Sequence, residues 1–228
     1  MSIQSYRATI RNEKHAAILA AAFDLFVSQG FAGAGMAEIA RRANVSTATL
    51  YKHFASKDAL FSEIAVTHIA PYHEAAGALI PQLGLSEQPV AALETLSQSF
   101  ADLLRDPQIA ALFRLIIAEG ERFPELKKVI YRYGRDPFKA QLVKVLKRFH
   151  NRGLIYVAEP GAAAEFYIGM LSYWLLFAPI FNQEIQFTKA RIDSIVRESA
   201  LMFLCRFETK AGYLIQQSDQ GPSLRNGL

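Results

Sequence analysis

Apolar residues recur along this chain at intervals of three and four, and alternating strand-like runs are almost absent. That period is the one-sided pattern of amphipathic helices. A first helix is predicted from about Glu13 to Gln29, capped by Asn12, with Leu19, Phe23 and Phe26 turned inward and Gly30 ending it. A short second helix, about Met36 to Ala43, starts from Gly35. Asn44-Val45 make a turn, Ser46 caps a third helix to about Phe54, and Ser56 caps a fourth that runs to Pro71 or beyond. Further helices are expected near Val90–Arg105, Pro107–Glu119, Pro124–Asn151, Gly161–Ile180 and Thr188–Thr209. Breaks are expected at Pro81–Gly84, Asp106-Pro107, Phe123-Pro124, Gly153, Glu159–Gly161 and Pro179, with a kink at Pro137. The fold class is all-α.

The most informative stretch is Met36 to Phe54. Ile39, Ala40, Val45, Leu50 and Phe54 are spaced so that two short helices cross at a tight turn and share a small core. With Leu50 and Phe54 inward, Ala48, Thr49 and Lys52 face outward, flanked by Tyr51 and His53. A face of small, hydroxyl and basic residues can enter a major groove without burying an unpaired acid.

Charge supports this reading. The formal net charge is only +4, but it is concentrated. Residues 1–57 hold seven Lys/Arg against three acids, and the remaining 171 residues hold eighteen of each. A local basic patch on a balanced chain suits a polyanion-binding module.

Here the sequence resembles the tetracycline-repressor (TetR) family of bacterial regulators. Gly30-Phe31 and the run from Met36 through Phe54 to Phe61 follow the family's DNA-binding signature nearly end to end, over about a quarter of the chain. The resemblance implies an all-helical homodimer. It would have an N-terminal three-helix helix-turn-helix DNA-binding domain over residues 1–57 and a C-terminal helical effector-binding and dimerisation domain over 58–217. Residues 218–228, polar with Gly and Pro, read as a disordered tail. Ser46, Thr47, Ala48, Thr49, Tyr51, Lys52, His53 and Lys57 are the DNA-binding candidates. By position, Thr47 and Ala48 would meet base edges, and Tyr51, His53 and Lys57 would hold phosphates. Thr47-Ala48 stand where Lys-Gly is common in the family, so the operator does not transfer from a relative. Ala34-Gly35 replace hydroxyl residues that often cap the second helix and touch phosphate.

The second half carries a charge-free run of eighteen residues, Phe166 to Gln183. This is near the length that spans a bilayer, but Ser172, Pro179, Asn182 and Gln183 dilute it and no basic cluster flanks it. A buried helix is expected, packed on its own domain and on a partner subunit, with no membrane contact. Ile192, Ile195, Val196, Ser199, Met202 and Phe203 form one stripe on the last helix, and with the preceding helix this resembles the family's four-helix dimer interface. The segment Phe113 to Leu126 (Phe-Arg-Leu-Ile-Ile-Ala-Glu-Gly-Glu-Arg-Phe-Pro-Glu-Leu) is similar to the C-terminal domain of an AefR-like subgroup. Aromatic residues are abundant in this half, and Phe113, Tyr173, Trp174 and Phe177 are the candidate contacts for an apolar or aromatic small-molecule effector.

Other chemistry finds little support. His68 and His73 lie five apart, off the spacing that presents two metal ligands on one helical face. The lone cysteine, Cys205, excludes an internal disulfide and reads as a buried thiol. There is no phosphate loop, nucleophile elbow or Cys-x-x-Cys, so no enzyme, metal or cofactor is expected. The first residues lack an apolar leader, which predicts a cytoplasmic protein. The resulting expectation is a repressor released from a palindromic double-stranded DNA operator by its effector. An activator, or a structural DNA-binding protein without an effector, are the alternatives.

Overall fold

The structure, a computed structural model, describes residues 3–182, 184–185 and 188–207. The proposed tail at 218–228 lies outside them. Among the described residues the elements are helical: α1 (Ile3–Gly33), α2 (Met36–Arg42), α3 (Thr47–His53), α4 (Lys57–Leu83), α5 (Pro89–Arg105), α6 (Pro107–Glu119), α7 (Pro124–Val129), a π-helical turn (Ile130–Arg135), α8 (Asp136–Asn151), α9 (Pro160–Ser172), a second π-helical turn (Tyr173–Phe177), α10 (Ala178–Phe181) and α11 (Lys189–Cys205).

Several expected boundaries shift. The first helix begins at Ile3, so Asn12 lies inside it and is not a cap. The break expected over Pro81–Gly84 is where α4 stops, although Pro81 itself still lies in its last turn and the helix runs on to Leu83. The long helix expected from Pro124 to Asn151 is divided. Pro137 has no N–H to offer the preceding turn and its ring crowds that turn's carbonyl. The chain widens into the π turn at Ile130–Arg135 and restarts as α8 with Pro137 in its first turn. Pro179 has the same relation to the π turn at Tyr173–Phe177.

The chain divides into two compact units. The first comprises Met1–Ala70 with Pro107–Gly134, and the second Pro71–Asp106 with Arg135 onward. This grouping differs from a boundary at 57/58, because the start of α4 and all of α6 and α7 belong with the N-terminal helices. In the first unit Ile18, Ala22, Leu25 and Phe26 of α1 are buried with Leu60, Phe61 and Ile64 of α4. Of the residues expected inward, Phe26 is buried, whereas Leu19 and Phe23 are half-buried and line a groove with Ile64 and His68. The core stripe of α1 is thus displaced by about one position, which a 100° step per residue readily permits.

In the second unit α11 packs against α5, and α9 against α8 and α11. Phe100 stacks on Phe138 with ring centroids 4.1 Å apart. Tyr167 is fully buried, and its hydroxyl is 2.7 Å from Ser97 Oγ. Burial pushes this phenol far above its usual range, so it stays neutral.

Ile192, Ile195, Val196, Ser199 and Phe203 are buried as the stripe on the last helix predicts, but within their own chain. Met202 departs from the stripe and is 58% exposed. Cys205 is exposed, which corrects the expectation of a buried thiol. Among the described residues, Ile10–Gly33 and Pro160–Phe181 have the length and hydropathy to cross a bilayer. Each devotes apolar positions to a packing face: Ile18 to Phe26 in the first unit, and Tyr167, Ile168, Leu171, Leu175 and Leu176 in the second.

Candidate nucleic-acid interface

The short helices α2 and α3 are too brief to hold themselves together, so their caps and shared core matter. Asn44 takes φ 53 at the turn between them, a conformation that Asn tolerates better than most residues. Its neighbour Val45 donates to Ala40 O at 3.0 Å. Ser46 then caps α3: its Oγ accepts from Thr49 N at 3.1 Å and lies 2.8 Å from Thr49 Oγ1. Ile39, Ala40, Leu50 and Phe54 are buried between the helices, with Val45 half-buried. Gly35 precedes α2 with no side-chain cap, and Ala34 is buried, so neither replaces the missing hydroxyl.

This arrangement leaves Ser46, Thr47, Ala48, Tyr51 and Lys52 exposed on one rim of the unit, Tyr51 at 54%. Thr49, outward by periodicity, is half-buried, and its amide and hydroxyl both serve the Ser46 cap. The one acid of α2 is neutralised. Glu38 accepts from Arg41 Nε and Nη2, both at 2.7 Å, and from Arg42 Nε at 3.2 Å. The Arg41 hydrogen bonds hold its carboxyl at about 2, and Arg42 adds to the effect. A docking polyanion therefore meets paired arginines and no bare carboxylate there.

His53 is half-buried at the end of α3, its ring centroid 5.7 Å from that of His15 on α1. Its pKa is lowered first by loss of solvent and then by the positive fields of His15, Arg11, Lys52 and Lys14. In the sequence Arg11 and Lys14 are visible only as part of the basic excess of residues 1–57. Their spacing of three puts them on neighbouring turns of one helical face, and the fold brings that face beside the end of α3.

Lys57 sits differently from the other candidates. Its Nζ donates to Phe31 O at 2.6 Å and lies 4.7 Å from the centre of the Phe31 ring. In the free chain it holds the turn between α1 and α2.

The four effector candidates do not share one unit. Phe113, half-buried, belongs to the first, and Tyr173, Trp174 and Phe177 to the second. Those three are 59%, 43% and 39% exposed. A groove of about 350 Å3 in the second unit is lined by Tyr156, Ala163, Phe166 and Phe207 with Glu159 and Arg206, and by none of these four.

A three-helix unit whose capped α3 presents small, hydroxyl and basic side chains defines a helix-turn-helix DNA-binding regulator. Residues 18–64 match the family model described as bacterial regulatory proteins, tetR family. Residues 91–209, just over half of the chain, match the AefR-like transcriptional repressor, C-terminal domain. The chain belongs to the TetR family of transcriptional regulators and is not an enzyme. A solved TetR-family regulator from Mesorhizobium loti is 29% identical, with a TM-score of 0.75 over 87% of this chain and 98% of that one. The solved flavonoid-responsive regulator FrrA is similar in fold, with TM-score 0.70, 24% identity, and 87% and 99% of the two chains covered. The transcriptional activator FasR of Mycolicibacterium smegmatis is 44% identical over 59 residues, 26% of this chain. That match spans only 27% of FasR.

Proposed function

We propose that this regulator is a cytoplasmic homodimeric repressor, which leaves a palindromic operator when a small apolar or aromatic effector binds its C-terminal half. The observation that carries the repressor reading is the match of residues 91–209 to an AefR-like repressor domain. FasR, an activator, is similar over a stretch of 59 residues only, and so bears little on the direction of control. The reading helix contacts bases through Thr47 and Ala48, while Ser46, Thr49, Tyr51, Lys52 and His53 position the backbone.

Dimerisation is supported by apolar surface that one chain leaves open. Phe166, Tyr173, Trp174, Phe177, Phe181 and Met202 are large, apolar and exposed on α9 to α11. Large apolar side chains left open in this number are what a partner subunit would cover. The effector is apolar because residues 58–228 carry equal numbers of acidic and basic side chains and offer no strong net field. Its binding must favour a conformer in which the two reading helices lose operator spacing, which requires unequal affinity for two states.

The test begins with a duplex selected by the protein from a random pool, which should be palindromic. FrrA is described as flavonoid-responsive, which makes a flavonoid the first compound to titrate. Release of the duplex and a change in emission of Trp174, the only tryptophan, should share one midpoint. A reporter carrying the selected sequence should be expressed more strongly when the regulator gene is deleted. Lower expression on deletion would make the protein an activator.

A further inference from the structure

The segment Phe113 to Leu126 stands out in the sequence, and the reading helix does not account for it. Two of its residues reach the turn that joins α1 to α2. Gly30 interrupts α1 at φ 77, ψ 165, after which Phe31 to Gly33 form one further helical turn with their own unsatisfied amides. Glu119, the last residue of α6, supplies the acceptors. Its Oε1 accepts from Phe31 N at 2.5 Å and its Oε2 from Ala32 N at 2.9 Å. On the other side Lys57 Nζ donates to the carbonyl of Phe31. The Phe31 ring is buried, with centroids 5.0 Å from Phe123, 5.2 Å from Phe26 and 5.9 Å from Phe61. A Cβ at Gly30 would run into the Glu119 carboxylate. One turn is thus gripped by a carboxylate on its amides, an ammonium on its carbonyl and an aromatic ring on its side chain. Only Ala34 and Gly35 separate Gly33 from the start of α2 at Met36.

We propose that Glu119 is a positioning residue for DNA reading. By gripping the Phe31 and Ala32 amides it fixes the direction in which α2 and α3 leave α1, so operator affinity depends on where the end of α6 stands. Glu119 touches no base or phosphate in this scheme, and the proposal rests on α3 being the base-reading helix.

The experiment uses the full-length protein, a duplex it has selected from a random pool, and a scrambled duplex of equal length. Selective binding by the wild-type chain tests the reading helix itself. Glu119→Gln keeps the size but can accept from only one of the two amides. With helicity retained, Phe31 and Ala32 should exchange their amide protons faster. Affinity for the selected duplex should fall about tenfold, the scale of a lost hydrogen bond to a charged group. Affinity for the scrambled duplex and the salt slope should not change, because no phosphate contact is removed. A merely structural role would leave the ratio between the duplexes intact. Unchanged exchange and selectivity, or an equal change on both duplexes with an altered salt slope, overturns the proposal. If Glu119→Gln does not fold, the wild-type chain decides: the Phe31 and Ala32 amides must be protected from exchange without DNA, and free exchange overturns it.

Discussion

His15 on α1 and His53 on α3 face each other with ring centroids 5.7 Å apart, joining the long first helix to the end of the reading helix. Glu63 of α4 lies 3.6 Å from His15 Nε2, and Arg11, Lys14 and Lys52 surround His53 with positive charge. Partial burial first, and then these cations, hold the His53 pKa below its usual 6.5. The folded chain therefore binds fewer protons than the unfolded chain just below that pH. The contribution of His53 to stability is fully present above 6.5 and is lost as pH falls through 6.5 toward the depressed value. The urea midpoint should be lower at pH 5.5 than at pH 7.5, and His53→Gln should reduce that difference. A DNA phosphate beside His53 would supply the missing negative charge. Operator binding should then take up a proton, measurable by titration calorimetry in buffers of different ionisation heat, and the uptake should shrink in His53→Gln.

Gly30 occupies a backbone region that is essentially restricted to glycine. Gly30→Ala adds backbone strain of about 1–3 kcal/mol and a collision with Glu119. The melting midpoint should fall by roughly 2–4 °C for each kcal/mol lost in a chain of this size. Gly161→Ala, where a Cβ meets open space, is the control and should melt as the parent does.

Lys52 and Lys57 should separate in salt titrations. Lys52 is exposed beside the reading face, so Lys52→Ala should flatten the slope of log K against log salt by about 0.9, one phosphate contact. Lys57 is committed to Phe31 O. Lys57→Met should lower the melting midpoint and weaken operator binding with little change in slope. Thr47→Ala should act on sequence preference: selection from a random pool should return a changed base at one position, with discrimination altered by about 1–3 kcal/mol.

The open aromatic face predicts a dimer. Light scattering should give twice the 25.4 kDa chain mass. Because Phe166 and Tyr173 are exposed in a single chain, the double substitution Phe166→Glu with Tyr173→Glu should yield a monomer with unchanged helical circular dichroism. A dimer that persists would locate the interface elsewhere.

The helical class, the turn at Asn44, the Ser46 cap and the Leu50–Phe54 core of the reading helix are legible in the order of residues alone. These features depend on residues within one or two turns of each other, where periodicity and capping chemistry act directly. Which surface covers each apolar face depends on how the helices pack. The stripe Ile192–Phe203 is legible as a stripe, but its cover is α5 of the same chain, while Met202 and Cys205 are left outside. Glu119 is one of 21 acidic residues in the sequence. It becomes the cap of a turn 88 residues away only when α6 packs on α1. Hydrophobic period reports that a face must be buried. The partner of that face, or of a carboxylate, is fixed by contacts between residues far apart in the chain, and local spacing carries no record of them.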